Sequence, residues 1–262
     1  MATAAPQGVS SLPLLYKDLQ PLSSNVHGDY RLVQGNAASV IQGVHAVPLT
    51  IDEFIMAQRS FPIVFSTGAN PVPLALLGLN EGVNLFLEED GSFRPHAYIP
   101  AYFRRYPFLL ARLRPDSEDL SLCFDPSSDF VKTGEEGEAL FAEGQPSTVT
   151  KSILEFCEQF EHAGARSAAF VQELVKAELL MDGEVSIQME GASQPFIYRG
   201  FQMVNEEKLK DMRGDAARKL MQNGILPLVY AHLFSLSLIR DLFTQQIARG
   251  LGPVAPGGQE AS

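Results

Sequence analysis

Residues 108–124 read FLLARLRPDSEDLSLCF, and this stretch decides which fold class the sequence favours. Apolar runs at 108–113 and 120–124 flank the triplet Pro115-Asp116-Ser117, whose residues favour a turn. Short apolar runs on both sides of a turn are typical of a β-hairpin with buried strands. The sequence therefore predicts an antiparallel strand pair at the centre of a sheet.

The segments before this hairpin extend the predicted sheet. Buried strands are expected at 63–65 and 74–79, where short apolar runs border turn residues. Ahead of them, Thr50 and Glu53 have the spacing of a capping box, in which each side chain satisfies an exposed backbone donor. A short helix should follow and end near Arg59.

A further hairpin is expected at 83–87 and from Phe93 onward. The intervening Asp90-Gly91 pair tolerates the positive φ values that a tight turn requires.

The hydrophobic period changes after the acidic, glycine-rich connector at 134–144. Apolar residues then recur at the helical spacing of 3.6, first up to Gly164 and again over 167–180. Because glycine commonly ends helices, we expect two helices that form an αα-hairpin.

The last third of the chain mixes strands and helices. Alternating residues at 185–189 pair in a predicted small hairpin with 196–204, and Asn205 caps a helix that Asn223-Gly224 closes. Periodicity leaves open whether 225–234 is a buried strand or part of a long helix. A C-terminal helix is expected over 235–249.

These predictions give an α+β fold: a mostly antiparallel sheet built from hairpins, with the αα-hairpin and C-terminal helices packed against it. A single domain is expected at 12–249. Tails at 1–11 and 250–262 are rich in Ala, Gly, Pro and Ser, so we expect them to be disordered.

Composition narrows the class of protein. The formal net charge of −11 over 262 residues disfavours nucleic acid as a partner. The N-terminal residues lack the basic and apolar regions of a signal peptide, which predicts a cytoplasmic protein. Cys123 and Cys157, each beside apolar residues, are expected to be buried thiols. The apolar run at 225–239 is shorter than the roughly 20 residues of a membrane span, so we expect it in the core.

The segment at 98–108, YIPAYFRRYPF, is the strongest candidate for a binding site. Aromatic residues around Arg104 and Arg105 predict fixed guanidinium groups that can grip an anion or neutralise a buried acid such as Asp125 or Glu53. If the turn after Pro100 is helical, the two arginines diverge by about 100°, so at most one faces inward. The residues that we expect to bind a ligand or partner are Tyr98, Tyr102, Arg104, Arg105, Tyr106 and His232.

Two histidine arrangements offer alternatives. His27 and Asp29 have the His-x-Asp spacing of non-haem iron oxygenases, for which His96 or His232 could supply a third ligand. This predicts, as the alternative, a metal-dependent enzyme. His232 lies in an apolar run, which fits either a general base or a hydrogen-bonded core residue. The sequence has neither a phosphate-binding loop nor a Rossmann fingerprint, so no cofactor is expected.

Several short motifs resemble the bacterial SapC family over residues 14–245. The most specific are YIPAY at 98–102 and RRYPF at 104–108; others are YKDLQPL at 16–22, FPIVF at 61–65 and YAHL at 230–233. Relatives often carry tryptophan where this chain has Phe93. The family name reflects an association with surface layers. The resemblance also implies a functional link to TonB-dependent receptors and flavin-dependent halogenase-like proteins, and it implies no mechanism.

A permease subunit of a peptide transporter shares the name, but it needs several membrane spans, which this sequence does not predict. We therefore expect a non-catalytic, soluble binding or accessory protein whose partner is a protein or a small molecule.

Overall fold

A computed structural model describes residues 12–35, 38–114, 119–188 and 195–252. The chain divides into two compact units. The first unit comprises Met1–Ile41 and Ala101–Ala165, and the second comprises Gln42–Pro100 and Arg166–Ser262. The tail at 1–11 and most of the tail at 250–262 lie outside the described residues, and the single domain expected from the sequence stays a prediction.

The described residues contain short strands and a larger number of helical residues. In chain order the strands are β1 (Gln20–Pro21), β2 (Tyr30–Leu32), β3 (Ala46–Pro48), β4 (Ile63–Phe65), β5 (Pro73–Leu76), β6 (Phe108–Arg112), β7 (Leu120–Phe124), β8 (Val131–Thr133), β9 (Glu138–Ala139), β10 (Phe141–Ala142), β11 (Gln145–Pro146), β12 (Leu180–Asp182), β13 (Val185–Ile187), β14 (Phe196–Tyr198) and β15 (Gln202–Val204). The α-helices are α1 (Ser24–His27), α2 (Ala38–Ile41), α3 (Phe54–Ala57), α4 (Ala101–Arg105), α5 (Thr148–Lys176), α6 (Glu206–Lys210), α7 (Gly214–Gln222), α8 (Ile225–Ser235) and α9 (Leu238–Ala248). Helices combined with antiparallel sheets confirm the α+β class.

The first unit contains the hairpin predicted at 108–124. Strands β6 and β7 pair antiparallel with Phe108 opposite Phe124, and β1 pairs with the other edge of β7. The turn residues at 115–118 lie outside the described residues. A second sheet has the order β8-β2-β9, and β10 pairs with β11. One cluster of buried residues in this unit consists of Phe108, Leu110, Phe124, Val131, Leu140 and Cys157.

The second unit is built on a five-stranded antiparallel sheet of order β12-β15-β4-β5-β3. The expected strand at 63–65 is β4, and the run at 74–79 contributes β5. The capping box is confirmed, since Glu53 Oε2 accepts from the Thr50 backbone N–H at 2.8 Å and from the Thr50 hydroxyl at 2.9 Å. The helix that follows it runs through a 3₁₀ turn, Ile51–Glu53, into α3.

The predicted αα-hairpin is wrong. Helix α5 continues without a break through Gly164, because its buried face persists from Ala163 to Ser167 and Phe170. Glycine within a helix costs only about 1 kcal/mol relative to alanine, which the continuous burial of that face offsets.

Three other local predictions need correction. The expected hairpin at 83–93 forms a single isolated bridge between Leu87 and Phe93. The expected strand at 196–204 is divided into β14 and β15, because Gly200 between them has φ of +94°, outside the strand region. The helix that Asn205 caps ends at Lys210, and α7 begins separately at Gly214.

The open question at 225–234 is resolved in favour of a helix. Gly224 closes α7 with φ of +71°, and α8 begins at the next residue. Pro227 is the third residue of α8, where the backbone N–H would have no intrahelical acceptor, so proline does not break the helix there.

Helices α8 and α9 include the most apolar helical stretch. Within the described part of the chain, Ile225–Ala248 is long and apolar enough to cross a membrane by length and composition, and 39% of its most apolar window is buried. Core helices of soluble proteins pass the same test, so one such stretch does not by itself indicate a membrane span. The core location expected for 225–239 stays a prediction.

Candidate functional site

Helix α4 separates the two arginines of the predicted binding segment. The chain turns helical directly after Pro100, and Arg104 and Arg105 lie in the last turn of the five-residue helix. Successive helical side chains point about 100° apart. Arg104 is exposed, whereas Arg105 is only 7% exposed, which confirms that one arginine faces inward. The buried arginine is therefore the centre of the candidate site.

Aromatic rings hold the Arg105 guanidinium. Its Cζ atom lies 4.2 Å from the ring centroid of Phe160 and 4.5 Å from that of Tyr102, with the Tyr16 ring at 6.0 Å. The faces of these rings carry partial negative charge that attracts a cation. Together, Tyr16, Tyr102 and Phe160 form what we call the aromatic cage.

Backbone hydrogen bonds fix the cage tyrosines. The Tyr16 hydroxyl donates to the Phe108 carbonyl at 2.7 Å, and the Tyr102 hydroxyl donates to the Leu14 carbonyl at 3.0 Å. Burial raises the pKa of both phenols, and the nearby Arg105 charge opposes that rise only in part. Both tyrosines therefore stay neutral and serve as hydrogen-bond donors and ring surfaces.

Glu161 on α5 is the ionic partner of Arg105. The Arg105 Nη1 and Glu161 Oε1 atoms are 3.4 Å apart, with the arginine side chain 6% exposed and the glutamate side chain 16% exposed. Burial raises the pKa of the Glu161 carboxyl, while Arg105 acts in the opposite direction. The sequence offered Asp125 and Glu53 as examples of such a partner, but the ion pair of Arg105 is with Glu161. Asp125 accepts from the backbone N–H groups of Lys17 and Ser127, and Glu53 accepts from Thr50.

Sequence reasoning missed Glu161, although a signal existed. It lies one turn after Cys157 on the predicted helix, next to Phe160, so it is a carboxylate at the edge of an apolar face. A charged residue in such a position usually has a partner.

The Arg105 guanidinium is not fully satisfied. Its Nε atom is buried and has no hydrogen-bond partner among the described residues. A buried donor without a partner costs roughly 1–3 kcal/mol.

A cavity of about 260 Å³ lies beside this guanidinium in the first unit. Its walls come from α4, the start of β6, the first half of α5 and β2: they are Leu32, Arg104, Arg105, Tyr106, Phe108, Val149, Ser152, Ile153, Phe156 and Cys157. Among these described residues, Arg104 and Arg105 are the charged ones. The Arg104 Cζ atom lies 5.2 Å from the ring centroid of Phe156. The cavity thus combines a mostly apolar wall with positive charge.

The thiol and the phenol on the cavity wall stay protonated at neutral pH. Burial raises the pKa of the Cys157 thiol to about 12, and burial also raises the pKa of the Tyr106 phenol. A thiol with so high a pKa is almost entirely protonated, and the protonated form is a poor nucleophile. Both cysteines are free and buried, as expected from the sequence.

Two of the predicted site residues belong to the second unit. The Tyr98 hydroxyl donates to Glu53 Oε1 at 3.2 Å, and its backbone N–H donates to the Ser60 hydroxyl at 3.1 Å. The structure therefore places Tyr102, Arg104, Arg105 and Tyr106 in one unit and Tyr98 and His232 in the other.

His232 is a fully buried residue of the second unit with both ring nitrogens in hydrogen bonds. Its Nε2 accepts from the Val204 backbone N–H at 3.0 Å, so Nδ1 carries the proton and donates to the Ile63 carbonyl at 2.7 Å. Burial lowers the pKa of the imidazole to about 4. A neutral ring that joins two backbone groups has no free nitrogen for a substrate proton.

The metal-centre hypothesis gains no support from the geometry. His27 is buried, its Nδ1 accepts from the Ser23 backbone N–H at 3.1 Å, and its ring packs edge-on against Tyr30 and Phe124. Among the described residues, no group of three or more His, Cys, Asp and Glu side chains is placed to hold a metal ion.

His96, a predicted third metal ligand, belongs to the second unit, whereas His27 and Asp29 belong to the first. It is exposed, with φ of +64°, and lines a separate cavity of about 280 Å³ with Arg59, Arg94 and Asp241.

Comparison with known proteins assigns a family. A family profile described as SapC matches residues 22–242, most of the 262-residue chain. No match was found among curated proteins or among solved structures. The matched range includes the two arginines, the cage residues Tyr102 and Phe160, and every wall of the cavity. The chain belongs to the SapC family.

Proposed function

We propose that this SapC-family protein is a non-catalytic binding or accessory protein whose first unit binds a small molecule or one side chain of a protein partner. The binding site is the cavity between α4 and α5. The observation that carries this proposal is the buried Arg105, which aromatic rings hold in place and which lines a cavity of about 260 Å³ together with Arg104.

The energetics of Arg105 favour a binding role over a purely structural one. A guanidinium that only neutralised Glu161 would gain most from a close, two-point contact with the carboxylate. The observed contact is a single one of 3.4 Å, while the rings of Phe160 and Tyr102 keep the cation in place. The cage therefore positions the guanidinium without using all of its donors.

The chemistry of the wall supports binding rather than turnover. General acid–base catalysis works best with a group whose pKa lies near the working pH. Of the titratable groups on the wall, the Cys157 thiol has a pKa near 12, and the pKa of Tyr106 is raised further from neutrality. The wall can thus orient a ligand but has no described group suited to move its protons.

The setting that we propose is the cytoplasm, with a protein or small molecule as partner. The formal charge of −11 disfavours nucleic acid, because phosphate backbones would be repelled. A link to surface-layer or receptor systems is part of the proposal only through the family resemblance.

A fragment screen by ligand-observed NMR tests the proposed site. We expect fragments that bind the wild-type protein to lose at least about tenfold in affinity in Arg105→Ala, because a charge-assisted hydrogen bond is lost. Arg112→Ala is the matched control, since Arg112 is exposed on β6 of the same unit, and it should bind as the wild type does.

Folding of each variant is checked by far-UV circular dichroism. If Arg105→Ala does not fold, Arg105→Lys replaces it, since lysine keeps the charge and removes Nε. Fragment affinities that are unchanged in the folded Arg105 variant would contradict the proposed function.

A further inference from the structure

We propose that a second cavity, which lies within the second unit, binds a small zwitterion such as a free amino acid. Arg59 supplies the positive charge, Asp241 supplies the negative charge, and His96 adds a hydrogen-bonding ring to the same wall. The inference does not rest on the cavity beside Arg105.

The walls of this cavity come from separate segments that the fold holds together. The cavity has a volume of about 280 Å³, and residues 59–60 after α3, the turn at 94–97 and α9 contribute to its walls. The Ser60 hydroxyl accepts from the Tyr98 backbone N–H at 3.1 Å, which joins the first of these segments to the chain that follows the turn. Phe86, also on the wall, is buried and packs its ring against Phe61 with 4.5 Å between the centroids. The cavity is therefore formed before a ligand binds.

Helix α9 contributes a carboxylate from a mostly buried face. Its cavity-lining residues have the spacing i, i+3, i+4, i+7 of a single helix face, and they are Leu238, Asp241, Leu242 and Gln245. The face of a helix that packs on its own protein is usually apolar. Asp241 interrupts that pattern and forms no ion pair with the described residues. Its carboxylate is thus available to a cationic group in the cavity.

The two arginines on the wall differ in their contacts. Arg94 donates from Nη2 to the Leu85 carbonyl at 2.6 Å, and its Nε lies 3.8 Å from a Glu88 carboxylate oxygen. Its Cζ atom also lies 4.8 Å from the ring centroid of Phe86. Arg59 is exposed and has no ion-pair partner in the part of the chain that the structure describes. Arg59 is therefore the cation that is available to a ligand.

The presence of both charges on one cavity indicates a ligand that carries both charges. A simple anion would be attracted by Arg59 and repelled by Asp241, and a simple cation would meet the reverse. A zwitterion can form a charge-assisted hydrogen bond with each. The volume of about 280 Å³ lies just below the roughly 300–1,000 Å³ of drug-sized ligand pockets, so an amino acid fits, with its side chain against the apolar part of the wall.

The turn that carries His96 supports a binding role for this wall. The Ala97 N–H donates to the Arg94 carbonyl at 3.2 Å, which closes a turn with Pro95 second and His96 third. His96 has φ of +64°, and a positive φ at the third position of such a turn favours glycine. Residues other than glycine at positive φ cluster at binding and active sites.

Ligand-observed NMR titration with L-leucine and two analogues of one charge tests the ligand class. The analogue 4-methylpentanoate lacks the amine, and isoamylamine lacks the carboxylate. Both are smaller than leucine, so a loss of affinity is not steric. We expect leucine to bind and each analogue to bind at least about fivefold more weakly.

Two charge variants should give opposite patterns. Asp241→Asn should weaken the binding of leucine and isoamylamine by about fivefold and should not weaken 4-methylpentanoate. Arg59→Gln should weaken leucine and 4-methylpentanoate and should not weaken isoamylamine, because only the positive charge is removed. Asp211→Asn and Arg218→Gln, at exposed positions of the second unit outside the cavity, are the matched controls and should bind as the wild type does. Circular dichroism checks the folding of each variant.

A third variant separates binding from stability. His96→Gly should weaken leucine binding a few-fold without lowering the midpoint of urea unfolding, because glycine adopts the positive φ at less cost. Unchanged leucine affinity in this variant would overturn the assignment of the imidazole to the site.

The outcomes decide the ligand class. If an analogue of one charge binds as tightly as leucine, or if neither charge variant weakens leucine, the zwitterion assignment is wrong. If leucine, alanine and phenylalanine all fail to bind, the proposal is overturned as a whole. These results concern the second unit, so a failure here leaves the function proposed for the cavity beside Arg105 in place.

Discussion

Arg105 in the first unit and His232 in the second are both buried polar residues among aromatic rings, but they differ in what their nitrogens contact. Both ring nitrogens of His232 have backbone partners, at 3.0 Å and 2.7 Å. Arg105 makes one long ionic contact at 3.4 Å and leaves Nε without a partner among the described residues. Both ring nitrogens of His232 are therefore hydrogen-bonded within the fold, whereas Arg105 Nε has no such partner among the described residues.

This difference is the reason that we propose a structural role for His232 and a binding role for Arg105. A fully satisfied buried group stabilises the chain that surrounds it, because every partner would be stranded without it. Arg105 also lines the cavity to which we assign the proposed binding function. Motif position alone did not separate the two, since the sequence proposed both residues for binding.

The largest expected effect is on stability, from replacing His232. In His232→Leu, the Val204 N–H and the Ile63 carbonyl both lose their buried partner, so the free energy of unfolding should fall by about 3–5 kcal/mol. Urea unfolding followed by circular dichroism measures this change. His162→Leu, at an exposed position of α5, should change the same free energy by less than about 0.5 kcal/mol. A loss below about 1 kcal/mol in His232→Leu would show that the histidine is not structural.

The second effect is a pH dependence that follows from the same histidine. Its pKa of about 4 in the folded state is below the ordinary value of 6.5, so the unfolded chain binds the proton more readily. The contribution of neutral His232 to the free energy of unfolding is complete above about pH 6.5. It is lost as the pH drops toward 4, and the free energy of unfolding then falls by up to about 3 kcal/mol.

Urea unfolding at several pH values between these limits measures the slope, which His232→Leu should reduce. An equal slope in the variant would show that other groups cause the pH dependence.

The third effect concerns Glu161, the ionic partner of Arg105. Glu161→Gln keeps the side-chain size but removes the charge that faces Arg105, so the free energy of unfolding should fall by about 1–2 kcal/mol. The loss is smaller than for His232→Leu because the rings of Phe160 and Tyr102 still hold the cation. Glu155→Gln, at an exposed position of the same helix, is the control. A loss as large as that of His232→Leu would mean that the ion pair, and not the cage, holds Arg105.

The sequence predicted features that depend on local spacing. Three such features follow from residues close together in the chain: the hairpin of β6 and β7, the capping box of Thr50 and Glu53, and the divergence of the two arginines by about 100°. Each of these depends on a fixed period or turn, which the sequence shows directly.

The features that the sequence did not predict depend on distant residues or on ambiguous periodicity. Glu161 lies 56 residues from Arg105, so no local pattern joins them. Residues 225–234 are apolar on every side of the helix, which removes the amphipathic signal that distinguishes helix from strand. Tyr98 is close to Arg105 in the chain, but its side chain has partners in the second unit.

The smallest expected effect tests whether an unpaired buried atom alone marks a binding site. Gln202 Oε1 on β15 is also buried without a partner among the described residues, but Gln202 does not line the cavity beside Arg105. Gln202→Met removes an unpaired acceptor, so the free energy of unfolding should change by less than about 1 kcal/mol.

Gln246 is the matched control, because its amide donates to Asn80 Oδ1 at 2.6 Å and to the Leu251 carbonyl at 2.7 Å and accepts from the Leu79 N–H at 3.0 Å. Gln246→Met strands these partners and should lower the free energy of unfolding by about 2–3 kcal/mol in the same urea experiment. If the two methionine variants lose equal stability, the presence or absence of a partner does not predict the cost of removal. The distinction between Arg105 and His232 would then rest on the cavity and its charge alone.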